Sequence, residues 1–214
     1  YYGFNDFIIA TNKLNNSLVL KQFFYNYMLL GNDVCIDYNL REVTNISNSS
    51  EDWKVQIIDT GIKTETAGRI AKLKDYIGNE TFMATYGDGV STVNLDKLFS
   101  THVESKGIAT LTAVKPSARF GYLNLEKNMV TDFIEKHPDQ EAYVNSGYFV
   151  FEPEVFDYFE GEDKSLAVLS EIARDKKLFS YFHHGYWQCM DTMRDVRTLR
   201  EKWDSGKADW VIWK

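Results

Sequence analysis

The stretch TYGDGV occupies residues 85–90 and follows the apolar run Phe82-Met83-Ala84. Read as a strand running into a glycine-flanked turn, it sets Asp88 just beyond the strand's carboxyl end. That is where open α/β sheets bind their ligands. Asp-Gly is also a common tight-turn pair, so a turn alone accounts for the same residues. The flanking sequence has to decide between the two.

Upstream, Val55-Gln56-Ile57-Ile58 reads as a strand ending in Asp59-Thr60-Gly61. A helix is expected from Thr66, with Ile70, Leu73 and Ile77 on its inner face. Further back, Phe7-Ile8-Ile9-Ala10 is a strand, and Leu20, Phe23, Phe24, Tyr27 and Met28 recur at the spacing of an amphipathic helix. Residues 44–52, TNISNSSED, read as a polar loop. Downstream, Leu95, Leu98, Phe99 and Val103 mark another helix. This alternation predicts βαβ units around a mostly parallel sheet.

The pattern changes after residue 107. Segments 108–114, 120–125, 129–134 and 147–151 read as strands with few helices between them, a mixed sheet or a hairpin insert. Leu166 to Arg174 reads as helical and 179–182 as extended. Residues 193–204 read as a helix with Val196, Leu199 and Trp203 inward. Without a repeat, a low-complexity tract or a linker, residues 1–214 are expected to form one α/β domain.

Composition narrows the partners. The chain has 214 residues, 44% hydrophobic and 15% aromatic, enough for a substantial core. Its net charge of −7, from 31 acids and 24 bases, argues against nucleic acid or an anionic membrane as partner. Phosphorylated small molecules stay open, since local bases, helix N-termini or a metal can hold them. Cys35 and Cys189 lack zinc-site spacing, and a reduced, cytoplasmic setting is expected.

Two loops carry candidate chemistry. In DTGIKTETAGR, residues 59–69, Thr64, Thr66 and Gly68 surround an expected helix start. Its backbone N–H groups could hold a phosphate, with Arg69 adding a charged fork, or Thr could simply cap the helix. In TYGDGV the acid could ligate Mg²⁺, which usually takes one or two protein carboxylates and completes its shell with phosphates and waters. A second acid is available in WQCMDTMRD, residues 187–195, where Thr192 and Asp195 have capping-box spacing and Asp191 stands just before the helix. Spacing alone does not bring Asp191 to Asp88. FIEKHP offers Glu135 and Lys136, and VNSGYFVF offers Asn145 before a buried strand. His183 and His184 lack a partner at ligand spacing and read as structural.

Taken in order, IDTG…TETAGR, TYGDGV, ATLTAVKPSARFGYLNL, FIEK, VNSGYFVF and GYWQCMDTMRD…LREKWDSGKADWVIWK resemble the sugar nucleotidyltransferases of the glucose-1-phosphate cytidylyltransferase (CDP-glucose pyrophosphorylase) family. The resemblance runs from Asn5 to the C-terminal ADWVIWK. It implies a Rossmann-like, mostly parallel mixed sheet flanked by helices, of the nucleotide-diphospho-sugar transferase type. The implied activity is cytidylyl transfer from CTP to glucose 1-phosphate with Mg²⁺, for polysaccharide synthesis of the O-antigen kind. By resemblance Asp88 and Asp191 are the catalytic metal carboxylates. Thr64, Arg69 and Gly87 match nucleotide contacts, and Glu135, Lys136 and Asn145 match the sugar-phosphate side. A cytoplasmic homo-oligomer, trimer or hexamer, is also implied.

Three departures stand out. Ala67-Gly68 replaces a Gly-Gly, and Asn145-Ser146-Gly147 replaces an Asn-Gly-Gly, so each adds a small side chain where a ligand is expected. The family's first strand, its GGxGTR phosphate loop and its Pro-Lys-Pro lysine have no counterpart here, and the sequence is expected to be a fragment. Two other classes stay open: a catalytically silent sugar-nucleotide-binding homologue, and a metal-dependent glycosyltransferase. The latter commonly uses a DxD signature, for which GDGV supplies one Asp.

Overall fold

A computed structural model describes residues 1–12, 15–47, 51–116, 122–126, 129–134 and 142–213. The first elements are β1 (Asp6–Thr11), α1 (Asn15–Leu30), β2 (Val34–Asp37), β3 (Glu42–Asn45), β4 (Lys54–Asp59), α2 (Thr66–Ala71) and α3 (Lys74–Ile77). There follow β5 (Phe82–Thr85), β6 (Gly89–Ser91), α4 (Leu95–Ser105), β7 (Ala109–Val114), β8 (Tyr122–Glu126), β9 (Met129–Ile134) and β10 (Val144–Phe151). The chain ends with α5 (Phe156–Phe159), α6 (Leu169–Arg174), β11 (Leu178–His183), β12 (Trp187–Cys189) and α7 (Met193–Asp204). It divides into two compact units, Tyr1–Asn79 with Phe156–Val168, and Glu80–Val155 with Leu169–Lys214.

In the first unit β1 and β4 pair in parallel from Asp6↔Lys54 to Thr11↔Asp59. Thr60 locks their carboxyl ends, its N–H and hydroxyl both donating to the Thr11 carbonyl at 2.8 and 2.9 Å. The helix expected from Thr66 forms in two pieces, α2 and α3, broken at Lys72-Leu73. The last two residues of β3 fall in the loop expected over 44–52. Asp37 closes the β2–β3 hairpin by accepting the N–H groups of Asn39 and Leu40. α1 forms where expected, and its less exposed stripe is Ser17, Leu20 and Phe24, while Tyr27 and Met28 are exposed. Leu18, Val19, Phe23 and Tyr25 are all exposed, and Ser17 is buried.

The second unit is built on a four-stranded sheet in the order β11-β7-β10-β5. β7 and β11 are parallel, and β10 runs antiparallel to β7 and β5. The sheet is therefore mixed, flanked by α4 and α6. Its inner strands are buried on both faces: Val150 and Leu98 meet with Val93 in one core cluster, and Phe149, Phe151 and Ile172 are buried as well. Truncating a buried Phe such as Phe151 to Ala would cost about 3–5 kcal/mol. One polar network crosses this interior. His102 holds Thr110 Oγ1 at 2.9 Å and Glu152 Oε1 at 3.0 Å, and Thr81 donates to the other Glu152 oxygen.

α7 begins with the capping box expected from Thr192 and Asp195, and Leu199 is buried. Trp203 departs from expectation. It is 59% exposed, because Lys202, set over the Tyr186 ring, takes the inward position of the last turn.

Candidate active site

Two short strands set up the site, all of it in the second unit. β6 and β12 pair antiparallel through Ser91↔Trp187, Val90↔Gln188 and Gly89↔Cys189. The Met190 N–H extends the ladder by donating to the Asp88 carbonyl at 2.8 Å. Asp88 and Asp191 therefore leave the same end of one ladder, and both are exposed. The Cys189 thiol donates to Asp191 Oδ2 at 3.1 Å.

The flanking glycines differ in what they do. Neither Gly87 nor Gly89 has a positive φ. A Cβ on Gly87 would meet nothing within 4 Å, and on Gly89 only Trp187 Nε1 at 4.0 Å. Backbone and packing thus leave room for a side chain at both. What a missing side chain provides here is close approach to the main chain beside Asp88. Gly147 is the opposite case. Its φ is +86°, and a Cβ would overlap Cδ2 of the Tyr86 ring.

Tyr86 ties this end of β5 to β10. Its N–H donates to the Gly147 carbonyl at 3.2 Å, and its ring stands edge-on to Phe149. Burial raises the phenol above its usual value, the Asp88 charge adds to that, and the Asn145 side chain opposes it. Asn145 Oδ1 accepts the Gly147 N–H at 2.9 Å, so its side-chain carbonyl is oriented at the bulge in β10. Trp187 Nε1 donates to the Ser146 carbonyl at 2.9 Å, and the Tyr148 hydroxyl to the Gly89 carbonyl at 3.2 Å. These bonds join β6, β10 and β12 around Asp88.

Among the described residues no group of three or more His, Cys, Asp or Glu is placed to hold a metal. Two exposed carboxylates at one ladder end nevertheless suit a hard divalent cation that draws its other ligands from phosphate and water. Oxygen donors of this kind fit Mg²⁺ better than a soft or tetrahedral metal.

The other expected site residues lie elsewhere or are engaged. Thr64 and Arg69 belong to the first unit. Thr64 is buried, its hydroxyl donates to the Thr60 carbonyl at 2.5 Å and accepts from Lys72. It does not cap α2, whose N-cap is Glu65 without a side-chain bond. The N–H groups of Glu65 and Gly68 donate to the carbonyls of Glu162 and Lys164. Arg69 Nη1 donates to Thr60 Oγ1, Gly61 O and Thr11 O, holding the carboxyl ends of β1 and β4. Glu135 and Lys136 lie outside the described residues. Ser146 and Ala67, expected to crowd a ligand, are both buried instead.

Sequence reasoning passed over Tyr86, Trp187 and Gln188, whose Nε2 donates to Asp195 Oδ1 at 3.2 Å. Tyr86 was within reach, since an aromatic two residues before a Gly-flanked acid is a natural wall. Gln188 and Trp187 carried no signal, because a three-residue strand has too little periodicity to read.

A family model described as nucleotidyl transferase matches residues 31–204. A Bacillus subtilis protein named "Probable glucose-1-phosphate cytidylyltransferase" is 35% identical over 216 aligned residues, spanning 100% of this chain and 84% of that protein. The Salmonella typhi glucose-1-phosphate cytidylyltransferase is 34% identical, spanning 100% and 83%. Among solved structures, the inositol-1-phosphate CTP transferase from T. maritima superposes with a TM-score of 0.55 at 14% identity, covering 99% of this chain and 80% of that one. At that identity the likeness speaks for the fold alone.

Proposed function

The chain belongs to the nucleotidyl transferase family, and on that premise we propose that it transfers the cytidylyl group of CTP to glucose 1-phosphate. The products are CDP-glucose and pyrophosphate. The observation that carries this reading is the identity of 35% and 34%, over the whole chain, to relatives bearing that name. The placement of Asp88 and Asp191 at one end of the β6–β12 ladder supports it.

The chemistry follows from the substrates. An oxygen of the sugar phosphate attacks the α-phosphorus of CTP in line. A new P–O bond forms, the bond to the β-phosphate oxygen breaks, and pyrophosphate departs. The attacking phosphate is already ionised near neutral pH, its second pKa being about 6, so no side chain has to remove a proton. Catalysis is then a matter of placing two polyanions together and neutralising their charge.

Asp88 and Asp191 would hold the divalent ion, Mg²⁺ by resemblance, which when bound neutralises phosphate charge and aligns the reacting groups. Gly87 and Gly89 let phosphate or ribose come against the main chain. Tyr86 walls one side, and Asn145, whose side-chain oxygen accepts the Gly147 N–H, would meet a sugar hydroxyl or phosphate. Thr64 and Arg69 match nucleotide contacts by resemblance, and within the first unit Arg69 Nη1 donates to Thr60 Oγ1 and to the carbonyls of Thr11 and Gly61. A cytoplasmic location accords with CTP as substrate, and no helix among the described residues is long and apolar enough to cross a membrane. Assembly into a trimer or hexamer rests on resemblance, and sedimentation velocity tests it.

Pyrophosphate release from CTP, UTP and dTTP, crossed with several hexose 1-phosphates, tests the proposal. Turnover is expected with CTP and glucose 1-phosphate. A clear preference for UTP or dTTP would defeat the cytidylyl assignment. Preference for another sugar with CTP would correct only the acceptor.

A further inference from the structure

We propose that Asp195, acting through Gln188, is a positioning residue for the Asp191 carboxylate, and that this pair rather than the ladder alone sets the affinity of the divalent-ion site. The inference rests on the reading of Asp88 and Asp191 as metal ligands.

The two oxygens of Asp195 reach in different directions. Oδ2 accepts the N–H of Thr192 at 3.0 Å and its hydroxyl at 2.8 Å, which is the capping box at the start of α7. Oδ1 accepts Gln188 Nε2 at 3.2 Å, and that bond has nothing to do with capping. Gln188 sits in β12 opposite Val90, one step from the end of the ladder. Its amide nitrogen also donates to the Cys189 carbonyl at 3.0 Å.

Residues 189–192 are consequently held at every step. The Cys189 carbonyl is held by Gln188, and the Met190 N–H by the Asp88 carbonyl. The Asp191 carboxylate accepts from the Cys189 thiol, and the Thr192 N–H is held by Asp195. Asp191 lies at the centre of this bracket and, like Met190 and Thr192, is exposed. Without it, Asp191 would lie in a short exposed connection between a three-residue strand and a helix. A carboxylate so placed loses rotamer and backbone freedom when it binds a metal, and the bracket removes much of that cost beforehand. Outer partners that orient metal ligands typically matter by about 10–100-fold in metal affinity.

An ordinary cap would explain Oδ2 but not Oδ1, so the two roles can be separated by variants. Gln188→Leu removes the strand tie and leaves the capping box. Thr192→Ala removes the capping hydroxyl and leaves both the Thr192 N–H bond and the strand tie. Asp195→Asn keeps size, yet a single amide oxygen cannot serve both the Thr192 N–H and Gln188 Nε2.

The test is Mn²⁺ binding to the purified protein, followed by the electron paramagnetic resonance signal of free Mn²⁺, with thermal unfolding measured alongside. The expected result is a Kd for Mn²⁺ about tenfold or more weaker in Gln188→Leu and Asp195→Asn. Thr192→Ala should unfold at a lower temperature yet bind Mn²⁺ within about twofold of wild type, as a cap contributes mainly to helix stability. If Gln188→Leu binds Mn²⁺ as wild type does while Asp191→Asn loses it, Asp195 is only a cap and the proposal is overturned. If Asp191→Asn itself binds Mn²⁺ normally, the metal reading falls and this proposal with it, a pattern distinct from the first.

Discussion

The ring of Tyr86 occupies the space in which a side chain on Gly147 would begin. A Cβ on Gly147 would overlap Cδ2 of that ring and lie 3.0 Å from its Cγ and Cε2. Tyr86 lies two residues before Asp88, and Gly147 two residues after Asn145. The contact therefore fixes the spacing between the acid of one strand end and the amide of the other.

Gly147→Ala should be costly for two separable reasons. An alanine at φ +86° is strained by about 1–2 kcal/mol, and displacing the ring adds about 1–3 kcal/mol. Urea unfolding is expected to show both. In the background of Tyr86→Ala the steric part should vanish and only the backbone part persist, a coupling that a double-mutant cycle reads directly. Equal losses in the two backgrounds would mean that the ring does not set this spacing.

Gly68→Ala tests the first unit by the sign of its effect. Helix propensity favours the alanine by about 1 kcal/mol at an interior helical position. Against that, the new Cβ would lie 2.5 Å from the Gly161 carbonyl oxygen and 3.0 Å from that of Glu162. It would push α2 away from the loop that accepts its Glu65 and Gly68 N–H groups. Overpacking of this kind costs about 1–3 kcal/mol, and destabilisation is the expected outcome. A more stable variant would show that α2 is not held against residues 161–164.

His183 supplies a pH dependence. The residue is buried, and burial lowers its pKa from the usual 6.5, opposed by the Tyr186 carbonyl it bonds at 3.2 Å. A histidine held neutral in the fold binds fewer protons there than in the unfolded chain. Its contribution is thus fully present above pH 6.5 and is lost as the pH falls from 6.5 through the folded pKa. Thermal unfolding of wild type and His183→Asn should differ in slope between about pH 6.5 and 5, with wild type falling more steeply. Parallel curves would remove His183 as the cause.

Much of this architecture was legible beforehand, and the failures share a cause. Long periodic segments announced themselves: β4, β7, α4 and α7 lie where alternation or helical spacing put them. Elements whose identity depends on a distant partner did not. β6 has three residues including a glycine, and it is a strand because β12 pairs with it. The last two residues of β3 read as loop because they begin a polar run, and Asp37 makes the hairpin. The helix after Thr66 was expected to be continuous, but periodicity does not report the break at Lys72-Leu73. At the site, Asp88 was visible as a lone acid between glycines. Its relation to Asp191 came from the family resemblance alone, since nothing local records a pairing that spans about a hundred residues.

The central claim is that Asp88 and Asp191 serve one divalent ion in cytidylyl transfer. Crystals of the protein grown with CTP and Mn²⁺, measured at the manganese edge, test it most directly. The account predicts an anomalous peak with a carboxylate oxygen of each residue about 2.0–2.2 Å away and phosphate oxygens completing its shell. It also predicts that Asp88→Asn and Asp191→Asn each lower kcat by about a hundredfold or more, as loss of several kcal/mol of charge stabilisation requires. A peak held by only one of the two carboxylates, or by neither, would contradict the account.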